Sequence, residues 1–460
     1  MTSPVALIDA TAHDDTVPAD LEVAGLGLVE RTLRLAAVSE CRHAVVVYRT
    51  DRAAPVADAC DGFADDDRYN MSVERLGVEE TEDIVEALAG HLGDRLRPEA
   101  TLLTLDSTRV YERGPAQQLV DTHGAGDGIS VLPGEAIADP AVLDGHTWHR
   151  LADLSPEGPT ALTESLIARA DRGHTQVRPA DDLEAGWRVA IDGPAAAERA
   201  GERIWQGCIK PIDGPISRHL NRKISLAISR RLAPTAVTPN HMSIVTFAFG
   251  IAATIAVAGG GYAWFLAGAI LYQLSSILDG VDGELARGKY EFSLFGEWID
   301  TLCDNTKDIL FYLGLGYGAS QTVPGLLGFA GADLWMWLGT LAATGKFLSL
   351  AGYATWLIPR DRGCPGHFDW GDDGDGKPAD GLVARAVSHL EVLGKNDVVL
   401  FSAFVLAVVG GLHWFLLLMA VGHHVVAGSV VARLASPEVD IVPEHSREPE
   451  PEPEPLKAEN

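Results

Sequence analysis

The sequence predicts a multidomain protein, an N-terminal α/β domain followed by an all-α, six-helix transmembrane domain. Three observations lead there. Long apolar runs crowd residues 243–434 and are absent from 1–200, although the mean hydropathy of the 460-residue chain is only +0.08. The first 200 residues instead alternate short apolar stretches with helical periodicity. The connections between the long runs divide into those rich in Lys and Arg and those with none. The expected boundaries are 1–200 for the α/β domain, 201–240 for a linker and interfacial amphipathic helix, 241–435 for the six spans, and 436–460 for an acidic tail.

In the first part, strand-like and helical patterns alternate over 5–8, 29–37, 44–48, 81–92, 101–105 and 115–120, the pattern of a mainly parallel sheet. The six apolar runs are 243–259, 262–281, 298–318, 333–358, 397–411 and 413–434, judged by the length needed to cross a bilayer. The fifth is short, and Gly410-Gly411 must make a tight hairpin to the sixth.

Loop charge sets the expected orientation. Arg218, Arg222, Lys223, Arg230 and Arg231 precede the first run. Arg287 and Lys289 follow the second, and Arg360, Arg362, Lys377, Arg385 and Lys395 follow the fourth. The remaining connections hold no Lys or Arg. The positive-inside rule therefore places both termini in the cytoplasm of a protein integral to the cell membrane. In 215–233, Ile216, Leu220, Ile224 and Ile228 recur at helical spacing between basic residues, as in a helix lying on an anionic leaflet. The plainer reading is a basic linker. Thr238-Pro239-Asn240 reads as the cap that opens the first span.

Charge and cysteine content exclude some classes. There are 36 Lys+Arg against 64 Asp+Glu, a formal charge of −28, which argues against nucleic acid as a partner. The tail, with EPEPEPEP, holds eight of those carboxylates and reads as disordered. Cys41, Cys60, Cys208, Cys303 and Cys364 are scattered without a CxxC pair, so neither a disulfide framework nor a zinc site is expected. The N-terminus lacks the pattern of a signal peptide.

The informative segment is Asp279-Gly-Val-Asp282-Gly283-Glu-Leu-Ala286-Arg287, with Gly296, Asp300 and Asp304 beyond it. Asp279 and Asp282 are spaced i,i+3 and Asp300 and Asp304 i,i+4, so each pair shares a helix face. Four clustered carboxylates at a membrane face repel unless cations neutralise them. Hard oxygen ligands in that number suit Mg²⁺, Mn²⁺ or Ca²⁺, with room for two ions. Gly283 and Ala286 let a ligand approach the helix, and Arg287 offers a fork for phosphate. Displacement at a diphosphate phosphorus fits, with a carboxylate taking the proton of an attacking hydroxyl. Helix-end aspartates facing water are the plain alternative.

The pattern D-x2-D-G-x2-A-R-x8-G-x3-D-x3-D resembles the signature of the CDP-alcohol phosphatidyltransferases, with no departure. The resemblance implies that Asp279, Asp282 and Asp300 bind metal, with Asp304 both near the metals and acting as general base. It implies two ions, Mg²⁺ or Mn²⁺. It also implies that Gly283, Ala286, Arg287 and Gly296, with the first two aspartates, contact the CDP moiety. CMP would leave, and the enzyme would be a homodimer with lipid beside its pocket.

The acceptor is read from basic residues. Lys346 lies inside the fourth run, Lys307 follows Asp304 by one turn, and Lys395 and Asp397 open the fifth run. Lys346, Arg360 and Lys395 could form a pocket for an anionic acceptor such as inositol phosphate. Equally, Lys346 could pair with a motif aspartate or snorkel to the interface. His423, His424 and Cys303 read as packing.

Segment 21–48 resembles the sugar-nucleotidyltransferase fold, a Rossmann-like α/β arrangement, with Asp106 and Asp192 where that family keeps two metal-binding aspartates. The family's Gly-rich phosphate loop is replaced by Asp9-Ala-Thr-Ala-His-Asp-Asp15, whose acids would repel a triphosphate, and its lysine by Ala19. The domain reads as degenerate, with Asp106 and Asp192 vestigial. The stretch 369–377 (DWGDDGDGK) lacks the spacing of a Ca²⁺ loop. The domain order, with KPIDGPISRHLNRKIS between the halves, resembles the bifunctional inositol-1-phosphate cytidylyltransferase/di-inositol-phosphate-phosphate synthases.

The expected function is transfer of a substituted phosphoryl group, phosphatidyl by preference, from a CDP-alcohol to a hydroxyl acceptor, in phospholipid biosynthesis. A di-inositol-phosphate-phosphate synthase using CDP-inositol is the alternative. A non-catalytic nucleotide-binding membrane scaffold or a transporter is the alternative from another class.

Overall fold

The computed structural model describes residues 4–123, 128–132, 140–154, 161–180, 183, 186–209, 213–325, 330–360 and 396–435. Cys364, Lys395, the 369–377 stretch and the tail 436–460 lie outside the described residues. The chain divides into two compact units. One holds 1–210 with Ala227–Val237 and Glu284–Phe292; the other holds Pro211–Leu226, Thr238–Gly283 and the remainder from Ser293.

The first unit runs β1 (Val5–Ala10), β2 (Glu22–Val23), β3 (Leu26–Gly27), α1 (Leu28–Val38), β4 (His43–Arg49), α2 (Ala53–Ala64), β5 (Ser72–Val78) and α3 (Ile84–Leu92). It continues through β6 (Thr101–Asp106), β7 (Arg109–Tyr111), α4 (Arg113–Thr122), β8 (Ile129–Val131), β9 (Ala141–Asp144), α5 (Gly145–Ala152), α6 (Leu162–Arg172), β10 (Val177–Pro179), β11 (Arg188–Ala190) and α7 (Pro194–Gly207). Seven strands form one sheet in the order β10-β8-β9-β6-β1-β4-β5. β1 lies near the centre and pairs in parallel with β4 and β6, Ile8 standing beside Val46 and Leu105. Its neighbours are covered on both faces, which is why the strand is a continuous apolar run. Ala6 and Ile8 join Leu33 of α1 and Phe63 of α2 on one face, and Leu7 joins Leu88 of α3 and Leu166 of α6 on the other. β9 runs antiparallel to β6 and β8, so the sheet is mixed at that end. The third helix starts at Ile84, three residues later than its apolar pattern, because Asp83 caps it. The Asp83 carboxylate accepts from Glu86 N at 2.9 Å and pairs with buried Arg169 at 2.6 Å.

The linker forms a π-turn over Ser217–Asn221 and then α8 (Arg222–Leu232). Its polar face, Asn221, Ser225 and Ser229, is buried, while Leu220 and Ile224 are each 42% exposed. Of the apolar stripe, Leu220 and Ile224 thus face outward, while Ile216 and Ile228 are half-buried.

In the second unit the helices are α9 (Pro239–Ala258), α10 (Gly261–Lys289), α11 (Leu294–Thr322), α12 (Gly331–Leu357), α13 (Asn396–Val408) and α14 (Trp414–Leu434). Thr238 caps α9, its hydroxyl accepting from His241 N. Among the described residues, α9, α10 and α14 are long and apolar enough to cross a membrane. α11 misses that standard because Glu297, Asp300, Asp304, Lys307 and Asp308 load its first half. The outward positions Ile255, Trp337 and Val421 are exposed, as lipid-facing positions of an integral-membrane protein are. Small residues bring the helix backbones together: Gly316 of α11 and Gly339 of α12 meet so closely that a Cβ on either would stand about 3 Å from the other's Cα.

Candidate active site

The second helix extends eight residues beyond its apolar run, so the motif from Asp279 to Arg287 is wholly helical. The turn after it is short: Ser293 caps α11, accepting from Gly296 N at 2.9 Å. A side chain at Gly296 would press on Ser293 and on Asn240. The two aspartate-bearing helices are therefore antiparallel neighbours in sequence, with carboxylates near their shared end.

The structure brings together Asp279 of α10 with Asp300 and Asp304 of α11, one oxygen of each lying within 4.8 Å of the others. Lys307 Nζ enters the same group, 2.5 Å from Asp304 Oδ1 and 3.4 Å from Asp279 Oδ1. Three hard carboxylates against one ammonium leave excess negative charge, and that donor set fits a divalent cation of the Mg²⁺ or Mn²⁺ kind.

Asp282 stands outside that trio. It is 6% exposed, and its carboxylate accepts from Ser243 Oγ at 2.8 Å and from Gly283 N at 2.5 Å. The fourfold cluster expected from spacing is thus three plus one. The hydroxyl of Ser243, on α9, gave no sign of this role in the motif.

Ala286 and Arg287 lie in the last two turns of α10, in the first unit. The Arg287 guanidinium donates to Cys208 O at 3.1 Å, and Gly288 sits under the Trp205 indole, where a Cβ would come within 2.9 Å of the ring. On the linker side, Arg222 pairs with Asp213 through two 2.9 Å contacts and reaches Gly280 O at 3.4 Å. Asp397 accepts from Ser217 N at 2.7 Å.

Lys346 does not pair with a motif aspartate. Its Nζ lies 2.8 Å from Asp308, one turn past Asp304, and Tyr272 OH donates to the same carboxylate at 2.5 Å. Asp308 was legible as the third member of an i,i+4,i+8 series with Asp300 and Asp304. Arg360 lies over the Trp356 ring at 4.3 Å and donates to Trp356 O. His423 Nε2 is 3.0 Å from Tyr312 OH, and His424 Nδ1 bonds Ala420 O, so both are tied into helix packing. Cys41, Cys60 and Cys303 are free thiols, and the Cys208 thiol donates to Glu284 O at 3.7 Å.

In the first unit, Asp106 accepts from Thr108 N and Oγ and pairs with Arg109, while Asp192 is exposed ahead of α7. Among the described residues, no cluster of three metal-binding groups includes either. The acids at the end of β1 and just after it each have a local partner. Asp9 accepts from Thr11 N, Thr11 Oγ and Leu162 N at 2.9, 2.7 and 2.8 Å. Asp14 accepts from the amides of Thr16 and Val17, and Asp15 pairs with Arg52.

Residues 236–360 match the CDP-alcohol phosphatidyltransferase family. Among curated relatives, a bifunctional IPC transferase and DIPP synthase from Thermococcus kodakarensis is 32% identical over 251 residues, 54% of this chain and 50% of that one. One of the same name from Archaeoglobus fulgidus is 28% identical over 331 residues, 66% and 63% of the two chains. An archaetidylinositol phosphate synthase from Pyrococcus horikoshii is 33% identical over 95 residues, 19% and 47%. The chain spans about half the length of the first of these relatives. A solved nucleotidyl transferase from Methanothermobacter thermautotroptrophicus covers 45% of this chain and 100% of its own, at 13% identity and a TM-score of 0.35.

Proposed function

We propose that the protein is a metal-dependent CDP-alcohol phosphotransferase, moving a substituted phosphoryl group from a CDP-alcohol to a hydroxyl acceptor with release of CMP. The observation that carries this reading is the convergence of Asp279, Asp300 and Asp304 from two helices onto one point. The motif from Asp279 to Asp304 and the family match over 236–360 support it.

Asp279, Asp282, Asp300 and Asp304 would hold Mg²⁺ or Mn²⁺, two ions in this reading. Bound there, the ions would polarise the diphosphate and offset charge on the departing CMP. Asp304, at the helix step nearest Lys307, takes the proton from the attacking hydroxyl. Gly283, Ala286 and Gly296 leave room for the CDP group, and Arg287 orients its phosphates. Lys346 and Arg360, with Lys395, favour an anionic acceptor such as inositol phosphate. Asp308 holds the Lys346 ammonium in place within that pocket.

The protein lies in the membrane with six spans, both termini cytoplasmic and the linker resting its Leu220 and Ile224 on the lipid surface, and it acts as a homodimer. A phosphatidyl or archaetidyl donor is favoured, because the N-terminal unit no longer supplies CDP-inositol. That the Pyrococcus horikoshii relative is an archaetidylinositol phosphate synthase supports a lipid product bearing inositol phosphate. The IPC transferase and DIPP synthase relatives keep CDP-inositol as the second donor to be tried.

The deciding experiment is CMP release by the purified full chain with Mg²⁺ or Mn²⁺, with Asp304→Asn as blank. Donors are CDP-diacylglycerol, CDP-archaeol and CDP-inositol, each with inositol, inositol phosphate, glycerol phosphate and serine. Release with one pair, absent in the variant, names both substrates. Silence across the panel from folded protein removes the reading.

A further inference from the structure

The end of α10 is held by the α/β unit more tightly than its short turn requires. A helix leaves its last carbonyls without intrahelical partners. Here two arginines of α1 take them: Arg31 donates to Gly288 O and Arg34 to Lys289 O, each at 3.0 Å. Both guanidinium groups are buried, at 3% and 6% exposure, where an unsatisfied charge is costly.

The next residues are fixed as well. Tyr290 takes a left-handed φ of +56°, a conformation a bulky residue adopts only when its surroundings enforce it. Its hydroxyl donates to Tyr111 O, and its carbonyl accepts from Tyr69 OH, both at 3.0 Å. Glu291 is buried among three cations, Arg34 at 2.9 Å, Arg68 at 2.8 Å and Lys289 at 3.4 Å. Arg113 covers the Phe292 ring at 3.8 Å.

We propose that Arg31 and Arg34 are positioning residues for the phosphotransfer site, capping α10 and clamping Glu291 so that α10 and α11 present Asp279, Asp300 and Asp304 in register. The inference rests on the phosphotransfer reading above. It assigns the N-terminal domain a role that needs no nucleotidyl transfer. α10 is one continuous helix, so a rotation or shift at Lys289 is carried to Arg287 and to the aspartates before it. A displacement of about 1 Å can cost on the order of 10²-fold in rate.

The test uses the full chain and three readouts: amide exchange of 285–296 against β1 and β4, CMP-release kinetics, and Mn²⁺ affinity by electron paramagnetic resonance. Arg34→Met is expected to speed exchange at 285–296 while leaving the sheet protected. It should lower kcat by roughly 10- to 100-fold with donor KM nearly unchanged, and weaken Mn²⁺ binding. Arg34→Lys should fall between it and the wild type. In the Arg34→Met/Glu291→Leu pair the two losses should not add. A kcat within about twofold of wild type, or exchange rising equally throughout the sheet, overturns the proposal. Should Arg34→Met not fold, Tyr69→Phe deletes one hydroxyl bond to the turn and must show the same local exchange increase; no change there also overturns it. If the wild type releases no CMP, the phosphotransfer reading fails, while exchange and Mn²⁺ affinity still decide whether α1 holds the motif.

Discussion

Lys307 Nζ lies 2.5 Å from Asp304 Oδ1 on its own helix and 3.4 Å from Asp279 Oδ1 on the helix before it. The side chain is 4% exposed, so this ammonium is a built-in counter-ion for the carboxylates packed around it. A cation that binds the three aspartates must share them with Lys307 or displace it.

Replacing Lys307 with Met therefore removes a competitor. The metal-free protein should lose stability, because the carboxylates repel, and divalent affinity should rise by about tenfold, equivalent to about 1.4 kcal/mol. Mn²⁺ titration followed by electron paramagnetic resonance measures it. Unchanged or weaker binding would show that Lys307 supports the metal site rather than opposing it.

Asp304→Asn keeps the shape of the side chain but removes both a metal ligand charge and the proton acceptor. CMP release should fall by about 10²-fold or more. EDTA should abolish release in the wild type, and Mg²⁺ or Mn²⁺ should restore it. Residual turnover close to wild type in the variant would move the general base elsewhere.

Asp308 is buried and Lys346 half-buried, and breaking such a pair from one side is expected to cost up to about 3 kcal/mol. Asp308→Asn should therefore lower the thermal midpoint more than the double change Lys346→Met/Asp308→Leu, which removes both charges. If Lys346 also binds an anionic acceptor, the double variant should raise the acceptor KM and leave the donor KM alone. A double variant less stable than the single one would mean that the pair contributes net stability here.

Much of this was legible because the apolar runs and the aspartate spacing are strong, short-range signals. The predicted strand at 5–8 appears as Val5–Ala10, and the predicted cap at Thr238 is made. What spacing could not give was the partner of each group. Asp282 turns to Ser243 because α9 crosses beside it, and Lys346 turns to Asp308 and not to the motif. The same limit hid Glu291 and α1: their pairing joins residues 257 positions apart, and no local pattern marks it. The acids at 9–15 read as repelling a triphosphate; the local partners each also has, amides for Asp9 and Asp14 and Arg52 for the exposed Asp15, are set by the fold of the turn.

His13 gives a pH signature of that loop. Val17 O can only accept, so His13 Nδ1 carries the proton at 2.9 Å, and Nε2 lies 2.8 Å from Ser107 Oγ, which donates to Asp9 O. Burial pushes its pKa below the ordinary 6.5, against smaller upward pulls from the Val17 carbonyl and from Asp106 and Asp9. The unfolded chain thus takes the proton more readily, so the contribution of His13 is complete above pH 6.5 and is lost as pH falls below it. Buried Asp9 works in the opposite sense, since burial raises its pKa. The comparison must therefore be wild type against His13→Gln. Amide protection at 11–20, relative to the intrinsic exchange rate at each pH, should fall between pH 6.5 and 5 in the wild type and less so in the variant; parallel curves would assign the acid sensitivity to another group.

The same loop predicts that the N-terminal domain does not transfer a cytidylyl group. A triphosphate is gripped by free backbone N–H groups and a cation. Here the amides of Thr11, Thr16 and Val17 already donate to Asp9 and Asp14. His13 is 5% exposed and fills the turn, and Ala19, 2% exposed, offers no cation beside it. Binding CTP would require breaking those bonds and placing its phosphates against carboxylates, each contact unfavourable. Diphosphate release from CTP with inositol phosphate should therefore be absent. The assay belongs in the Asp304→Asn background, where the aspartate site cannot consume any CDP-alcohol that forms. Diphosphate release in that background would mean that the loop rearranges around the nucleotide, and that the protein makes its own CDP-inositol donor.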